Sequence, residues 1–382
     1  GPGDGADDDG DGEAAGADRS VSPTERAGGD DGDGGGAEDR PRTLRETLDE
    51  AAGVDVWHTE DVRIIPLQRR QAARDRRRHD LGMLHLGPAD GGAGDGADDA
   101  DDGAPRFVML GDAETDRLVL TEPMNRALAL VDERYVERQR FGPTLYDVHL
   151  VDVETGERTR IAEGVKYVYG TAPDGHTVLW QEGEHVLATD LRSLDTVNLT
   201  EDMPVGMVNT RITSLTDQKP VWGIGDWTED SGHVVLYDEF DAWLVARDGS
   251  DAERLTDGRG EMIRYRLTEP IVRDARDEGD HLDPDEPWHF SMYGERSKKR
   301  GVAVRSPAGA VSPLRWVDRQ IGLLVKARDA DVHAWTEEAF DLPPRLMVAG
   351  PDLAAEEPAV TTNEWLAEHA WGRAELVDFV NA

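Results

Sequence analysis

Cysteine is absent from all 382 residues, which excludes a disulfide framework, a thiolate metal site and a cysteine nucleophile. It also leaves the redox compartment open. Lysine is nearly absent: Lys166, Lys219, Lys298, Lys299 and Lys326 are the only five, in a chain with 42 basic residues, 80 acidic residues and a formal charge of −38. A surface of this sign offers no positive field for phosphate, so no nucleic-acid partner is expected. No apolar run approaches the ~20 residues that a bilayer span requires, so no membrane span is expected. The first residue is Gly rather than Met, and no apolar signal core precedes the globular part. The expectation is either a removed leader, as in a secreted or periplasmic protein, or a piece of a longer chain; the compartment stays unassigned.

The acid is unevenly placed. Residues 1 to 42 hold thirteen Asp or Glu against four Arg, and residues 87 to 104 hold six Asp and no base; together they contribute −15, leaving −23 on the other 322 residues. Carboxylates spread over a surface with few lysines suit hydration in concentrated salt, where charge repulsion is screened within a few ångströms. A GC-rich genome would give the same bias toward Asp, Ala, Gly and Arg, and both readings stand.

Residues 1 to 42 have almost no large apolar side chains and cannot offset the entropy of ordering, so they read as a disordered acidic tail. A β-propeller domain is expected over 43 to 382, with 87 to 104 as an acidic loop insert. Thr43 to Ala52 suggests a short helix, Val54 to Leu67 extended structure, and Gln68 to His79 a basic helix. The arginines of that last stretch, Arg69, Arg70, Arg74, Arg76, Arg77 and Arg78, are expected to pair with neighbouring carboxylates rather than to form an anion site.

The propeller expectation rests on a repeat. Residues 171 to 200 give an acidic turn, two strands and a Leu-Thr ending, and residues 222 to 256 give the same in the same order. Four short strands per repeat is the sequence form of a propeller blade. A further unit takes Phe107 to Leu110, Arg117 to Leu120, Tyr146 to Val153 and Arg158 to Ile161, with Glu154-Thr155-Gly156-Glu157 as a hairpin turn. A fourth takes Trp288 to Tyr293, Gly301 to Ser306 and Leu314 to Val317, and a fifth Ile321 to Lys326, Val332 to Trp335 and Arg345 to Val348. With a strand pair near 57 to 86 and a closing strand at Glu375 to Val380, the fold class is all-β, a propeller of six to eight four-stranded blades. Ile161, Leu199 and Leu255 mark the fourth strand of three units, and the longer second interval calls for a loop insertion over Met203 to Lys219. The ten tryptophans are expected to pack between sheets.

Motifs for chemistry are mostly missing. There is no Gly-x-Ser-x-Gly, His-Glu-x-x-His, phosphate-binding Gly-x-x-x-x-Gly-Lys or dinucleotide fingerprint. His289-Phe290-Ser291-Met292-Tyr293-Gly294 comes nearest to the first but lacks its leading Gly and lies in an expected strand. Asp7, Asp9, Asp11, Gly12 and Asp18 have the spacing of a calcium loop, but Gly and Asp flank them where helices should. Asp277, Glu278, Asp280, His281, Asp283, Asp285, Glu286 and His289 read as a solvated loop rather than a cation site. No catalytic, cofactor-binding or metal-binding residue is assigned, and no cofactor is expected.

Several strings, taken in order, carry a family likeness. Val54-Asp-Val-Trp57-His58-Thr-Glu-Asp61-Val-Arg with Gln68 and Arg74-Asp75-Arg76, Gly225-Asp-Trp227-Thr-Glu-Asp230, Tyr237-Asp238, Asp241-Ala-Trp243 and Leu255-Thr256-Asp257-Gly258-Arg259 resemble the propeller part of prolyl oligopeptidase family serine peptidases. The likeness continues through Lys326-Ala327 and Phe340 to Trp371-Gly372-Arg373-Ala374-Glu375-Leu376-Val377. It implies a propeller that restricts access of short peptide substrates to a C-terminal α/β-hydrolase domain, with a Ser/Asp/His triad located beyond Ala382. The parent would be a hydrolase of peptide bonds; the chain itself is expected to be inactive. Paired glutamates that hold a substrate amino terminus in dipeptidyl peptidases have no counterpart, Glu239 lying in a different blade context. The alternative is a stand-alone propeller that binds proteins or glycans through its face loops.

Overall fold

The structure, a computed structural model, describes residues 63, 65–86, 105–122, 124–140, 142–213, 218–268, 270–272, 281–377 and 379. The calcium-loop spacing near the N-terminus, the acidic insert, the helix expected at Thr43 to Ala52 and residues 273–280 lie outside them. The described residues are nearly all β, with one α-helix, α1 (Ile65–Asp75). Pro66 sits in its first turn, where a missing N–H costs nothing, so residues 65 to 67 are helical rather than extended as expected.

Four meanders form four-stranded antiparallel sheets. They are β3 to β6 (Thr115–Leu120, Arg126–Val131, Tyr146–Asp152, Arg158–Val165) and β7 to β10 (Val168–Thr171, Thr177–Glu182, His185–Asp190, Thr196–Asn198). Next come β11 to β14 (Ile224–Trp227, His233–Tyr237, Ala242–Ala246, Ala252–Arg254), and then β15 (Ile263–Leu267) with β17 to β19 (Trp288–Gly294, Arg300–Arg305, Val311–Val317). A fifth sheet holds β16 (Ile271–Val272), β20 (Gln320–Ile321), β21 (Val325–Lys326), β22 (His333–Ala339), β23 (Leu342–Ala349) and β24 (Val360–Thr361). A two-stranded ribbon, β1 (Gly82–His85) and β2 (Arg106–Met109), joins the two ends of the acidic insert.

Consecutive sheets pack face to face in chain order. Along β12, Val234 and Leu236 enter a core shared with Leu179 and Val186 of the preceding sheet, while Val235 and Tyr237 enter one shared with Phe290 and Met292 of the next. A strand buried on both sides needs an unbroken apolar run, and His-Val-Val-Leu-Tyr supplies it. Leu128 and Leu130 of β4 meet Val178 and Leu191 in the same way, Ala127 and Ala129 meet Val108 below the ribbon, and Val302 meets Trp335 and Met347. Meanders stacked so are blades, and the fold is a β-propeller.

The repeated strings do repeated jobs. The hydroxyl of Thr200 accepts the Val186 N–H at 3.0 Å, and that of Thr256 accepts the Ala242 N–H at 3.1 Å. Leu199 and Leu255 each extend the outer ladder by donating to the carbonyl of that same partner, both at 2.9 Å. The acidic turns close on their own carboxylates: Asp174 accepts the His176 N–H at 2.9 Å and Asp230 the Gly232 N–H at 2.8 Å. In the hairpin at 154 to 157, Gly156 takes φ +77° and donates to the Asp152 carbonyl at 2.8 Å, a conformation that favours glycine. Trp227, Trp243, Trp288 and Trp335 are buried between sheets, as expected; Trp365 and Trp371 are exposed.

Two expected strands differ, and β4 and β15 are additions. Phe107 to Leu110 does not open the first four-stranded sheet but pairs with β1, and the missing strand is β4, whose Arg-Ala-Leu-Ala-Leu-Val lacks the β-branched, turn-bounded look of a strand. The fourth unit gains β15, in which Ile-Arg-Tyr-Arg-Leu alternates arginines with apolar residues. No closing strand forms over Glu375 to Val377, where the chain is irregular and exposed.

Candidate functional site

The turns between second and third strands carry a glutamate in three successive sheets: Glu184 after β8, Glu239 after β12 and Glu295 after β17. Glu184 and Glu239 line a cleft of about 570 Å³, roofed by the loop inserted between β10 and β11. That loop is the insertion expected over Met203 to Lys219, fastened at its far end by a bridge between Val208 and Val221. From it Arg211 reaches down to Glu239 at 2.6 Å and to Glu295 at 2.9 Å. Arg264, on β15, pairs with Glu295 from the other side. Both guanidinium groups lie over the Trp222 ring, at 6.0 Å and 5.7 Å, where the ring quadrupole attracts a cation.

The electrostatics follow from that geometry. Burial alone would raise the Glu295 pKa, but the Arg211 hydrogen bond and the charges of Arg264, Arg211 and Lys298 outweigh it and hold the carboxyl below its usual range. The Arg211 guanidinium is stabilised in return, chiefly by its bond to Glu295. Beside them, burial and the neighbouring Arg264 push Arg266 down to about 10, while its Nη2 donates to the Asp238 carbonyl at 3.0 Å. The arrangement clamps the loop to the propeller face. Glu239 is therefore engaged by Arg211 and is not half of an open carboxylate pair that would receive a substrate amine.

No group here among the described residues is placed for nucleophilic catalysis. His185 Nδ1 lies 3.3 Å from the Thr200 hydroxyl, but that hydroxyl is buried and already accepts the Val186 N–H, so the pair caps a strand. His281 sits between two acids, with Nδ1 3.0 Å from Asp226 and Nε2 3.0 Å from Glu122. Burial would lower its pKa, yet those two bonds raise it overall. It ties the turn after β3 to β11 and meets no serine.

The other sequence candidates resolve as structural. Asp283 forms a turn, accepting the Asp285 N–H at 2.8 Å through its side chain and the Trp288 indole N–H at 2.7 Å through its carbonyl. His289 faces His333, ring centroids 6.3 Å apart, and no group of three or more metal-ligating side chains occurs among the described residues. Ser291 lies in β17, as expected, and donates to the Arg266 carbonyl. On α1, the cleft beside the helix mixes Arg70, Arg77 and Arg78 with Asp75, Glu114, Asp116 and Glu133. Arg78 donates to the carbonyls of Asp112 at 2.9 Å and Ala113 at 3.2 Å. No helix among the described residues is long and apolar enough to cross a membrane.

Sequence reading missed Arg211, Arg264 and Glu295, which no motif joins. The available signal was positional: a glutamate at the same turn of successive repeats.

No protein-family model matches the chain, and no curated protein matches it. Among solved structures, it is similar to one described as TolB from Agrobacterium tumefaciens, at 11% identity over 66% of this chain and 83% of that one, TM-score 0.31. It is also similar to the β-propeller domain of the trilobed protease from Pyrococcus furiosus, at 12% identity over 64% and 70%, TM-score 0.32. A third likeness is to a structure described as a dipeptidyl aminopeptidase IV from Bacteroides ovatus, at 8% identity, TM-score 0.42, covering 67% of this chain but only 44% of that one. At such identities and scores the likenesses carry nothing about chemistry.

Proposed function

We propose that residues 43 to 382 are the non-catalytic propeller of a prolyl-oligopeptidase-like serine peptidase, preceded by an acidic tail over 1 to 42. In this reading the propeller gates short peptides toward an α/β-hydrolase domain encoded after Ala382. The observation that carries it is the surface around the Trp-Gly-x-x-Glu-Leu-Val string. Trp371 donates its indole N–H to the Phe340 carbonyl at 2.7 Å, and the two rings lie tilted with centroids 6.3 Å apart. Around it Phe340, Trp365, Trp371, Leu376, Val377 and Phe379 are all more than half exposed. A run of large apolar side chains facing water on so acidic a chain supports an interface. The hydrolase domain named by the resemblance would cover it.

The test is twofold. Purified residues 1 to 382 are expected to show no peptidase or esterase turnover, since no Ser/His/acid arrangement occurs among the described residues; hydrolysis blocked by a serine-directed phosphonate would overturn the non-catalytic assignment. The coding sequence past Ala382 is expected to hold Gly-x-Ser-x-Gly within ~150 residues, followed by Asp and His. A stop codon there would overturn the peptidase parent and leave the stand-alone binding propeller.

A further inference from the structure

A second cleft, of about 710 Å³, opens between the fourth and fifth sheets, away from the Arg211 clamp. Its polar groups are sorted by depth. His333, on β22, is 3% exposed, and its Nδ1 is buried with no hydrogen-bond partner. Lys326 is its cross-strand neighbour on β21, and His289 faces it from β17. Lys326 makes no ion pair among the described residues. Burial comes first in holding both imidazoles below their ordinary pKa, followed at His289 by the facing His333 and then Lys326, and at His333 by Lys326 with Asp331 opposing. A neutral imidazole carries one N–H donor and one acceptor nitrogen.

Buried Trp288 and Leu282 and part-buried Leu267 line the apolar wall. Glu229, Glu286 and Asp352, all exposed, line the mouth. The result is a part-buried lysine and two imidazoles, one of them buried, with apolar surface between and exposed carboxylates outside. An anion alone would be repelled at the mouth, and a cation alone by Lys326.

We propose that this cleft binds an α-amino carboxylate zwitterion with an apolar body, its carboxylate toward Lys326, His333 and His289 and its ammonium toward the acidic mouth. Free apolar amino acids and short peptides share that chemistry. The site is independent of the peptidase reading, and either stands without the other.

Calorimetry on the purified chain with L-leucine, L-phenylalanine and the dipeptide Leu-Leu tests it. Saturable binding is expected for at least one, weakened about tenfold or more in leucinamide, which lacks the carboxylate, and in N-acetyl-leucine, which lacks the ammonium. Lys326→Met and His333→Gln should each weaken binding similarly; because Lys326 is only part-buried, its variant keeps the test valid if the His333 variant misfolds. Tighter binding of the dipeptide would identify a peptide end as the ligand, and tighter binding of leucine a free amino acid. No saturable heat up to about 10 mM, equal binding of leucinamide, or unchanged affinity in Lys326→Met would each overturn the proposal.

Discussion

Removing the carboxylate of Glu337 should unlock the fifth sheet. The side chain is wholly buried on β22, yet four donors converge on it: Arg315 Nη2 at 2.7 Å, Arg315 Nε at 2.8 Å, Arg319 Nη1 at 2.9 Å and the Trp335 indole N–H at 3.1 Å. Arg345 adds a longer pair at 3.5 Å. Taking one partner from a buried ion pair costs about 3–5 kcal/mol, because the remaining charge is left without compensation. Arg319 is 36% exposed and can rehydrate, whereas Arg315 and Arg345 are under 20% exposed and cannot. Glu337→Gln keeps the volume and one acceptor and should cost about 3 kcal/mol; Glu337→Ala adds a cavity and should cost about 4 kcal/mol. Urea denaturation followed by tryptophan fluorescence and far-ultraviolet dichroism reads the difference.

The dependence on pH has a definite sign. Burial would raise the Glu337 pKa, but Arg319, Trp335 and Arg315 together bring it below the usual carboxylate range. A lowered folded pKa contributes stability that is complete above the unfolded value of about 4.3 and is lost as pH falls through the folded one. The gap between wild type and Glu337→Gln should therefore hold at neutral pH and narrow in acid. A loss below about 1 kcal/mol at pH 7, the level of an exposed pair, or a gap that widens in acid, would refute the reasoning.

Two other changes separate structural from surface roles. Asp241 is buried, its Oδ1 accepting from the Thr256 hydroxyl at 2.9 Å and the Gly258 N–H at 2.5 Å while Oδ2 has no partner; Asp241→Ala orphans both donors and should cost about 1–3 kcal/mol for each, whereas Asp241→Asn keeps the acceptor and should cost less in the same urea titration. Burial, aided by the charge of Asp238, raises the Asp241 pKa, so the folded state holds that proton more tightly and stability should fall as pH rises through the raised value, a slope missing in Asp241→Asn. Trp371→Ala should speed amide exchange over residues 365 to 377 while shifting the melting temperature by no more than about 2 °C, because the indole anchors an exposed segment and no sheet.

What the sequence made legible was whatever repeats and is locally encoded. A period-2 apolar run and an aspartate two residues before a turn amide act through their own neighbours, so Asp174 and Asp230 could be read in place, whereas Thr200 and Thr256, bonded to amides fourteen residues back, were legible only because the Leu-Thr ending repeats. Strand β4 was not legible because Arg-Ala-Leu-Ala-Leu-Val has no local preference for extension; its pairing with β3 and β5 decides it. The ribbon at Phe107 was misassigned because its partner lies across the eighteen-residue acidic insert, and no local rule spans such a gap.

The same distinction bears on function. The resemblance strings Tyr237-Asp238, Asp241-Ala-Trp243 and Leu255-Thr256-Asp257-Gly258 converge on one corner: Asp238 takes the Trp243 indole N–H at 2.9 Å, Asp241 takes Gly258, and an added Cβ at Gly258 would fall 1.9 Å from the Ile263 carbonyl. They form a set because each satisfies a buried group of another, which is a requirement of blade geometry and not of chemistry. A family likeness built from such residues therefore reports scaffold. Residues that could meet a ligand, Arg211, Glu239 and Glu295 on one face and His289, Lys326 and His333 in the inter-sheet cleft, come from turns and strands far apart in the chain, and only the packing of successive blades brings them together. Specificity in this architecture is thus written between repeats, where a single sequence shows least, and the decisive variants are those that alter a contact between two blades while leaving each blade's own turns intact.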